Sequence, residues 1–228
     1  MLAWTDVIVA NLPYLMKGLL LTLRLTAIAM IGSLVVGTLL VLARMSQRRW
    51  LRWPAIAYID VLRMIPLVMV IFWMFFLLPI LTGHAMPPEL AIIGALVFYN
   101  ASYIAEVLRA GIEAVPKGLS EAARSSGFGY IQTMRFIILP LAFSYMLPAL
   151  VTRLISVFMG TSLAYVIGVP EFFRSAYNLN SRVFQPYEIF CFVALVYFVF
   201  CYGLSLLGEY LQRRLPWLAT AKGGGLRG

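Results

Sequence analysis

Long apolar runs, parted by short polar intervals, set the organisation of this chain. The first run covers 18–43, more than the ~20 residues a bilayer crossing needs, so a tilted helix is expected. Ahead of it, residues 1–17 alternate Trp4, Val7, Ile8, Leu12 and Leu15 with polar positions. That pattern predicts a short interfacial segment with Trp4 and Tyr14 at headgroup level. Arg24, near the start of the run, can snorkel towards water. A second span is expected over about 55–80, kinked at Pro66 and Pro79, with Asp60 and Arg63 spaced to pair on one face. A third run, 90–105, continues as helix through Glu106 and Arg109. Its middle, Tyr99-Asn100-Ala101-Ser102-Tyr103, is polar enough either to bond neighbouring helices or to line a cavity. From 136 to 170 the one ionisable head besides tyrosine phenols is Arg153. Pro140 and Pro148 interrupt this stretch, and a central span over 141–165 puts Arg153 near mid-membrane. Residues 168–188 predict a loop with a short helix of its own, and 189–208 a last, uncharged span.

Composition makes the membrane reading firm. Hydrophobic residues are 62% of the chain and charged residues 12%, against about 25% charged in soluble domains. The net charge of +9 does not indicate a nucleic-acid partner, because the basic residues sit at the ends of apolar runs. Their placement instead gives an orientation. Arg44, Arg48, Arg49 and Arg52, then Lys117, Arg124 and Arg135, then Arg213, Arg214, Lys222 and Arg227 fall on one side. Only Lys17, Arg174 and Arg182 fall on the other. The expectation is an all-α membrane protein, one domain over 1–228, with five transmembrane helices, N-terminus out and C-terminus in. The start, Met-Leu-Ala-Trp-Thr-Asp, lacks the basic n-region of a cleaved signal peptide. Cys191 and Cys201, ten residues apart on one predicted helix, stand roughly 15 Å apart along its axis and cannot bridge. They are expected to be buried packing thiols. His84 falls in the turn 82–88, with no second histidine to build a metal site.

The polar interval before the fourth span carries the most specific pattern. It reads Glu121-Ala122-Ala123, three residues, Gly127, nine residues, Ile137-Ile138-Leu139-Pro140. Ser120 is placed to cap a short helix running through Ser126, and Gly127 to end it in a left-handed turn. Tyr130, Met134 and Ile137 fall on one side of a second helix, and Pro140 is expected to kink the chain at the membrane. The product is a helical knob with a small-residue face and an acidic tip, suited to a groove on another protein. The pattern resembles the cytoplasmic coupling loop, here about 113–136, of the membrane subunits of ATP-binding-cassette importers. The resemblance implies a type I importer transmembrane domain in a bacterial inner membrane, with Glu121, Ala122, Ala123, Gly127 and Pro140 in the coupling element.

The residues agree with a non-catalytic part. No Gly-x-x-x-x-Gly-Lys-Ser/Thr loop is present, and no nucleophile–base set or carboxylate dyad in a soluble cleft. The resemblance implies that ATP and Mg belong to a partner, a cytoplasmic ATPase dimer, and not to this chain. It also implies a second permease subunit and a periplasmic solute-binding protein. Tyr103-Ile104-Ala105-Glu106, Arg109-Ala110-Gly111-Ile112 and Thr161-Ser162-Leu163 resemble the polar amino acid branch. Ile65 through Val70 and Glu171-Phe172-Phe173-Arg174 are similar to glutamate/aspartate permeases.

Arg153 supplies a separate physical argument. A charge at mid-membrane costs roughly 3 kcal/mol or more, so it faces a cavity or a partner. A guanidinium can grip a carboxylate through two parallel bonds. Arg153 is therefore the candidate for binding an acidic amino acid, with Thr152, Ser156, Asn100 and Ser102 for its other polar groups. Pairing with Glu106, or packing at a subunit interface, is the alternative. Thr152-Arg153 and Met159-Gly160 depart from the polar pairs that the branch often carries, which favours a heterodimer. Other readings are a permease for another polar amino acid such as glutamine, and a stand-alone channel or secondary transporter. Against the last, no internal repeat is found.

Overall fold

The computed structural model describes residues 4–214, with side chains from residue 7 onward. Trp4's expected headgroup contact, and Lys222 and Arg227, lie outside the described side chains. Eight helices follow in order: α1 Trp4–Arg44, α2 Arg49–Met64, α3 Leu67–Thr82, α4 Pro88–Glu113, α5 Lys117–Ser125, α6 Tyr130–Ile167, α7 Phe172–Val183 and α8 Pro186–Arg214. α1, α4, α6 and α8 are each long and apolar enough to cross a membrane, and the bent pair α2–α3 passes the same test when taken together, which brings the candidate spans to five.

Two expected boundaries are corrected. The described part of the expected interfacial segment 1–17, from Trp4 on, is not separate, because α1 runs unbroken from Trp4 through Pro13 to Arg44. Leu15 and Leu19 extend it, buried with Phe172, Ala176, Leu179, Ile189 and Val193 of α7 and α8. The second span is broken rather than kinked: α2 and α3 meet at 110°. Pro66 has no N–H to continue the ladder and holds the preceding residue out of the helical region. Ile65 is accordingly extended, at φ −102° and ψ 138°.

The core lies between α1, α3, α4 and α6. Leu25 and Ala29 meet Ile71, Ile92, Ala95, Leu96 and Val157 there. α1 and α4 approach closely because Gly37 has no side chain: a Cβ would stand 2.8 Å from Ile104 Cγ2 and 3.0 Å from the Ala101 carbonyl oxygen. α6 is built in three pitches. An α-helical start at Tyr130–Thr133 widens to a π-turn at Met134–Ile138, returns to α over Leu139–Gly160, and tightens to 3₁₀ over Thr161–Ile167. Pro140 is the second residue after the π-turn, which takes up the proline's missing donor without ending the helix. The short helix expected in 168–188 is α7, capped by the side chain of Glu171.

The cysteines are not the buried thiols expected. Cys191 is exposed on α8 and Cys201 partly so, and both are free. His84 stays in its exposed turn, its Nδ1 2.8 Å from the Thr82 carbonyl oxygen.

Candidate functional site: an arginine-lined cavity and an exposed helical knob

Three elements meet at a cavity of about 460 Å³: the C-terminal end of α2, the C-terminal half of α4 and the middle of α6. Arg63 arrives there because α2 stops at Pro66, which leaves its last-turn arginine at the break. Tyr103 and Glu106 reach it from α4, and Thr152 and Arg153 from α6. The Arg153 guanidinium carbon lies 4.7 Å from the centre of the Tyr103 ring, and that of Arg63 lies 5.6 Å from the same ring. A cation over an aromatic face is attracted by the ring quadrupole, so one tyrosine steadies both arginines. Tyr103 is fixed in turn: its hydroxyl donates to the Arg63 carbonyl oxygen at 3.4 Å and lies 3.2 Å from that of Tyr99.

Glu106 gathers the neighbouring charges. Arg44 Nη1 donates to its Oε2 at 3.0 Å, Arg109 Nε to its Oε1 at 3.2 Å, and Arg63 Nη1 lies 3.8 Å from Oε2. Arg109 also bonds Glu113. Arg63 therefore pairs with Glu106 across helices, not with Asp60 on its own helix as its spacing suggested. Arg153 does not pair with Glu106 either. Among the described residues no carboxylate lies within 4.0 Å of it. Arg44, Arg63, Arg109 and Arg153 thus face two carboxylates, and the surroundings keep an excess of positive charge.

The five residues expected around a substrate divide. Arg153 and Thr152 line the cavity together. Ser156, one turn further along α6, donates to the Thr152 carbonyl oxygen at 2.9 Å and is not in the lining. Asn100 and Ser102 point away into packed helix: Asn100 Nδ2 donates to the Leu96 carbonyl oxygen at 2.9 Å and Ser102 Oγ to that of Tyr99 at 2.7 Å, and both are buried. Asn100 and Ser102 are thus satisfied within their own helix, whereas Tyr103, at the end of the same polar stretch, bonds α2 and lines the cavity. Tyr103 belongs to the stretch expected to bond a neighbouring helix or line a cavity, and it does both; Arg63 was missed as a cavity residue. The signal for Arg63 was there, an arginine three residues before the helix-breaking Pro66.

The knob is α5 and the start of α6. Glu121 and Ala122 are exposed on α5, Ala123 is its buried residue, and Gly127 is exposed beyond its end. Gly127 has the left-handed φ of 85° that a Cβ resists. The Phe128 N–H donates to the Ala123 carbonyl oxygen at 3.0 Å, closing the helix as a Schellman turn. Ser120 does not cap this helix. α5 begins earlier, at Lys117 after Pro116, and the Ser120 hydroxyl donates to the Lys117 carbonyl oxygen at 2.7 Å. Proline's fixed φ and missing donor suit a helix start, so Pro116 opens the helix without a side-chain cap, its carbonyl oxygen accepting the Leu119 N–H at 3.1 Å. The expected Tyr130–Met134–Ile137 face is also revised. Tyr130 is exposed while Met134 and Ile137 are half-buried, and the buried residue of this turn is Thr133; the π-turn at Met134–Ile138 also takes Ile137 out of α-helical register with Tyr130.

Comparison with known proteins agrees with this architecture. Residues 33–216 match the family described as binding-protein-dependent transport system inner membrane component. The glutamate/aspartate import permease protein GltK of Escherichia coli O6:H1 is 39% identical over 218 residues, covering 92% of this chain and 97% of that one. The probable glutamine ABC transporter permease protein GlnM of Bacillus subtilis is 36% identical over 205 residues, covering 90% and 94%. Among solved structures, an amino acid ABC transporter with histidines superposes at a TM-score of 0.88 with 31% identity, covering 94% of this chain and 99% of that one. The chain belongs to the binding-protein-dependent transport system inner membrane component family, as a non-catalytic, multi-pass inner-membrane permease subunit of an amino acid ABC importer.

Proposed function

We propose that this subunit carries acidic amino acids, glutamate or aspartate, and that Arg153 holds a substrate carboxylate. The observation that carries the reading is a guanidinium facing a cavity with no carboxylate within 4.0 Å among the described residues. Burying such a charge without a partner is costly, and a diacid is its natural complement. The excess of arginine over glutamate around the cavity favours an anion over a zwitterion. The 39% identity to a glutamate/aspartate permease supports the same substrate class. Thr152, beside Arg153, is placed to bond a second polar group. Ser156, Asn100 and Ser102 are proposed no further, since none lines the cavity.

Glu121, Ala122, Ala123, Gly127 and Pro140 form the coupling element in this proposal, seating the knob in a cytoplasmic ATPase dimer that holds the ATP and Mg. A second, different permease subunit completes the pathway, and a periplasmic binding protein delivers the substrate. The test uses the whole importer in vesicles with its binding protein. Arg153→Glu is expected to cut glutamate-stimulated ATP hydrolysis by tenfold or more, since charge-assisted hydrogen bonds contribute about 1.5–3 kcal/mol. An unchanged glutamate response would refute the assignment. The 36% identity to a probable glutamine permease supports a second reading, glutamine transport, in which Arg153 binds the α-carboxylate alone. Glutamine and glutamate then compete equally for uptake, whereas the acidic reading requires glutamate to win.

A further inference from the structure

A second cavity, of about 410 Å³, opens beside the first turn of α2 and is independent of the substrate reading. Arg44, Arg52 and Arg109 line it with one carboxylate, Glu113, and its apolar wall is Met45 and Ile56. Arg109 is committed to Glu106 and Glu113, and Arg44 spends one nitrogen on Glu106. Arg52 is exposed and makes no ion pair among the described residues; its guanidinium carbon lies 5.9 Å from the centre of the Trp53 ring. A guanidinium has five donors in a planar fork, so Arg44 and Arg52 together retain enough to take a phosphate bidentately. Two further features indicate where that phosphate comes from. Trp50 and Trp53 flank the site at 67% and 60% exposure, and tryptophans at that density belong at a membrane–water interface. The exposed Arg48 and Arg49 add charge on the side where basic residues concentrate, the leaflet that attracts juxtamembrane arginine to anionic lipid.

We propose that this cavity binds the phosphate headgroup of an anionic phospholipid of the cytoplasmic leaflet, with Arg52 and Arg44 on the phosphate and the acyl chains leaving past Met45 and Ile56. The site lies where α1 ends, α2 begins and α4 ends, so an occupied headgroup would brace the three helices at the level of the Glu106 ion cluster.

The test uses the complete purified importer in nanodiscs of phosphatidylcholine, titrated with phosphatidylglycerol and read by native mass spectrometry and lipid exchange. Wild type is expected to retain phosphatidylglycerol over phosphatidylcholine. Arg52→Gln should weaken that retention roughly fivefold, as about one arginine's share of surface attraction. Arg24→Gln, an exposed arginine elsewhere on α1, should leave it unchanged. Equal retention of the two lipids, or undiminished retention in Arg52→Gln, overturns the proposal. Displacement by millimolar glycerol phosphate or inorganic phosphate overturns the lipid source in favour of a soluble phosphate ligand. Normal lipid retention in Arg52→Gln with loss of the co-purifying ATPase overturns it in favour of a protein contact.

Discussion

Glu171 shows how much one side chain can fasten. It is wholly buried, yet it sits between the spans at the start of α7. Its carboxylate accepts the N–H groups of Phe173 at 2.8 Å and Arg174 at 2.7 Å, and the Thr22 hydroxyl reaches it at 3.4 Å. Thr22 in turn accepts the Phe172 N–H at 3.1 Å. α7 is thereby tied to α1. Burial pushes the carboxyl up to about 7, while the two N–H groups and the Thr22 hydroxyl pull it down less strongly. The fold thus favours the protonated acid. Its contribution is full below the unfolded value of about 4.3, falls as the pH rises, and is gone above about 7. Hydrogen exchange should therefore show α7 amides losing protection between about pH 4.3 and 7. Glu171→Gln should flatten that dependence, and a wild type indifferent to pH would contradict the burial argument. Thr22→Val should lower unfolding stability by about 1–2 kcal/mol in detergent melts, since it strands a buried N–H. Nothing in the sequence marked Glu171 for this role beyond its resemblance motif, because burial of a carboxylate depends on which helix arrives beside it.

At the level of the element, the helix ends decide what is presented. Gly127 holds a φ of 85°, with no atom near its missing Cβ, so the space is free and only the backbone objects. Gly127→Val should cost about 1–2 kcal/mol and show as faster exchange across α5 with the spans untouched. Equal exchange in the two proteins would mean the turn is not what closes α5. Most of these ends were legible: the left-handed glycine, the continuation of α4 through Glu106 and Arg109, and the helix inside 168–188 all follow from local chemistry. Pro66 was legible as a disturbance but not as a 110° break, since the angle depends on what α3 packs against. Ser120 misled because two cap signals lay four residues apart and the proline came first.

For the whole molecule, orientation and charge are the testable quantities. Single cysteines at His84 and Ser126, in a protein with Cys191 and Cys201 replaced by serine, should be labelled from opposite faces of sealed vesicles, Ser126 from the cytoplasmic one. Labelling of both from one face would undo the five-span topology. The expected orientation comes from the basic-residue count, since lipid sorts basic loops for the whole chain at once. Arg153's place in a cavity was also legible, as an isolated charge in a long apolar run. That Tyr103 and Arg63 would meet it was not, because they come from segments 50 and 90 residues away that only packing brings together.

The widened turn at Met134–Ile138 has a practical consequence for anyone mapping the fourth span. One extra residue in a turn advances every later side chain by roughly 100° around the axis. A helical wheel drawn straight through from Tyr130 therefore assigns lipid and pathway sides wrongly for everything after it. Substitution scans of this span will show clean periodicity only if the angular origin is restarted at Leu139.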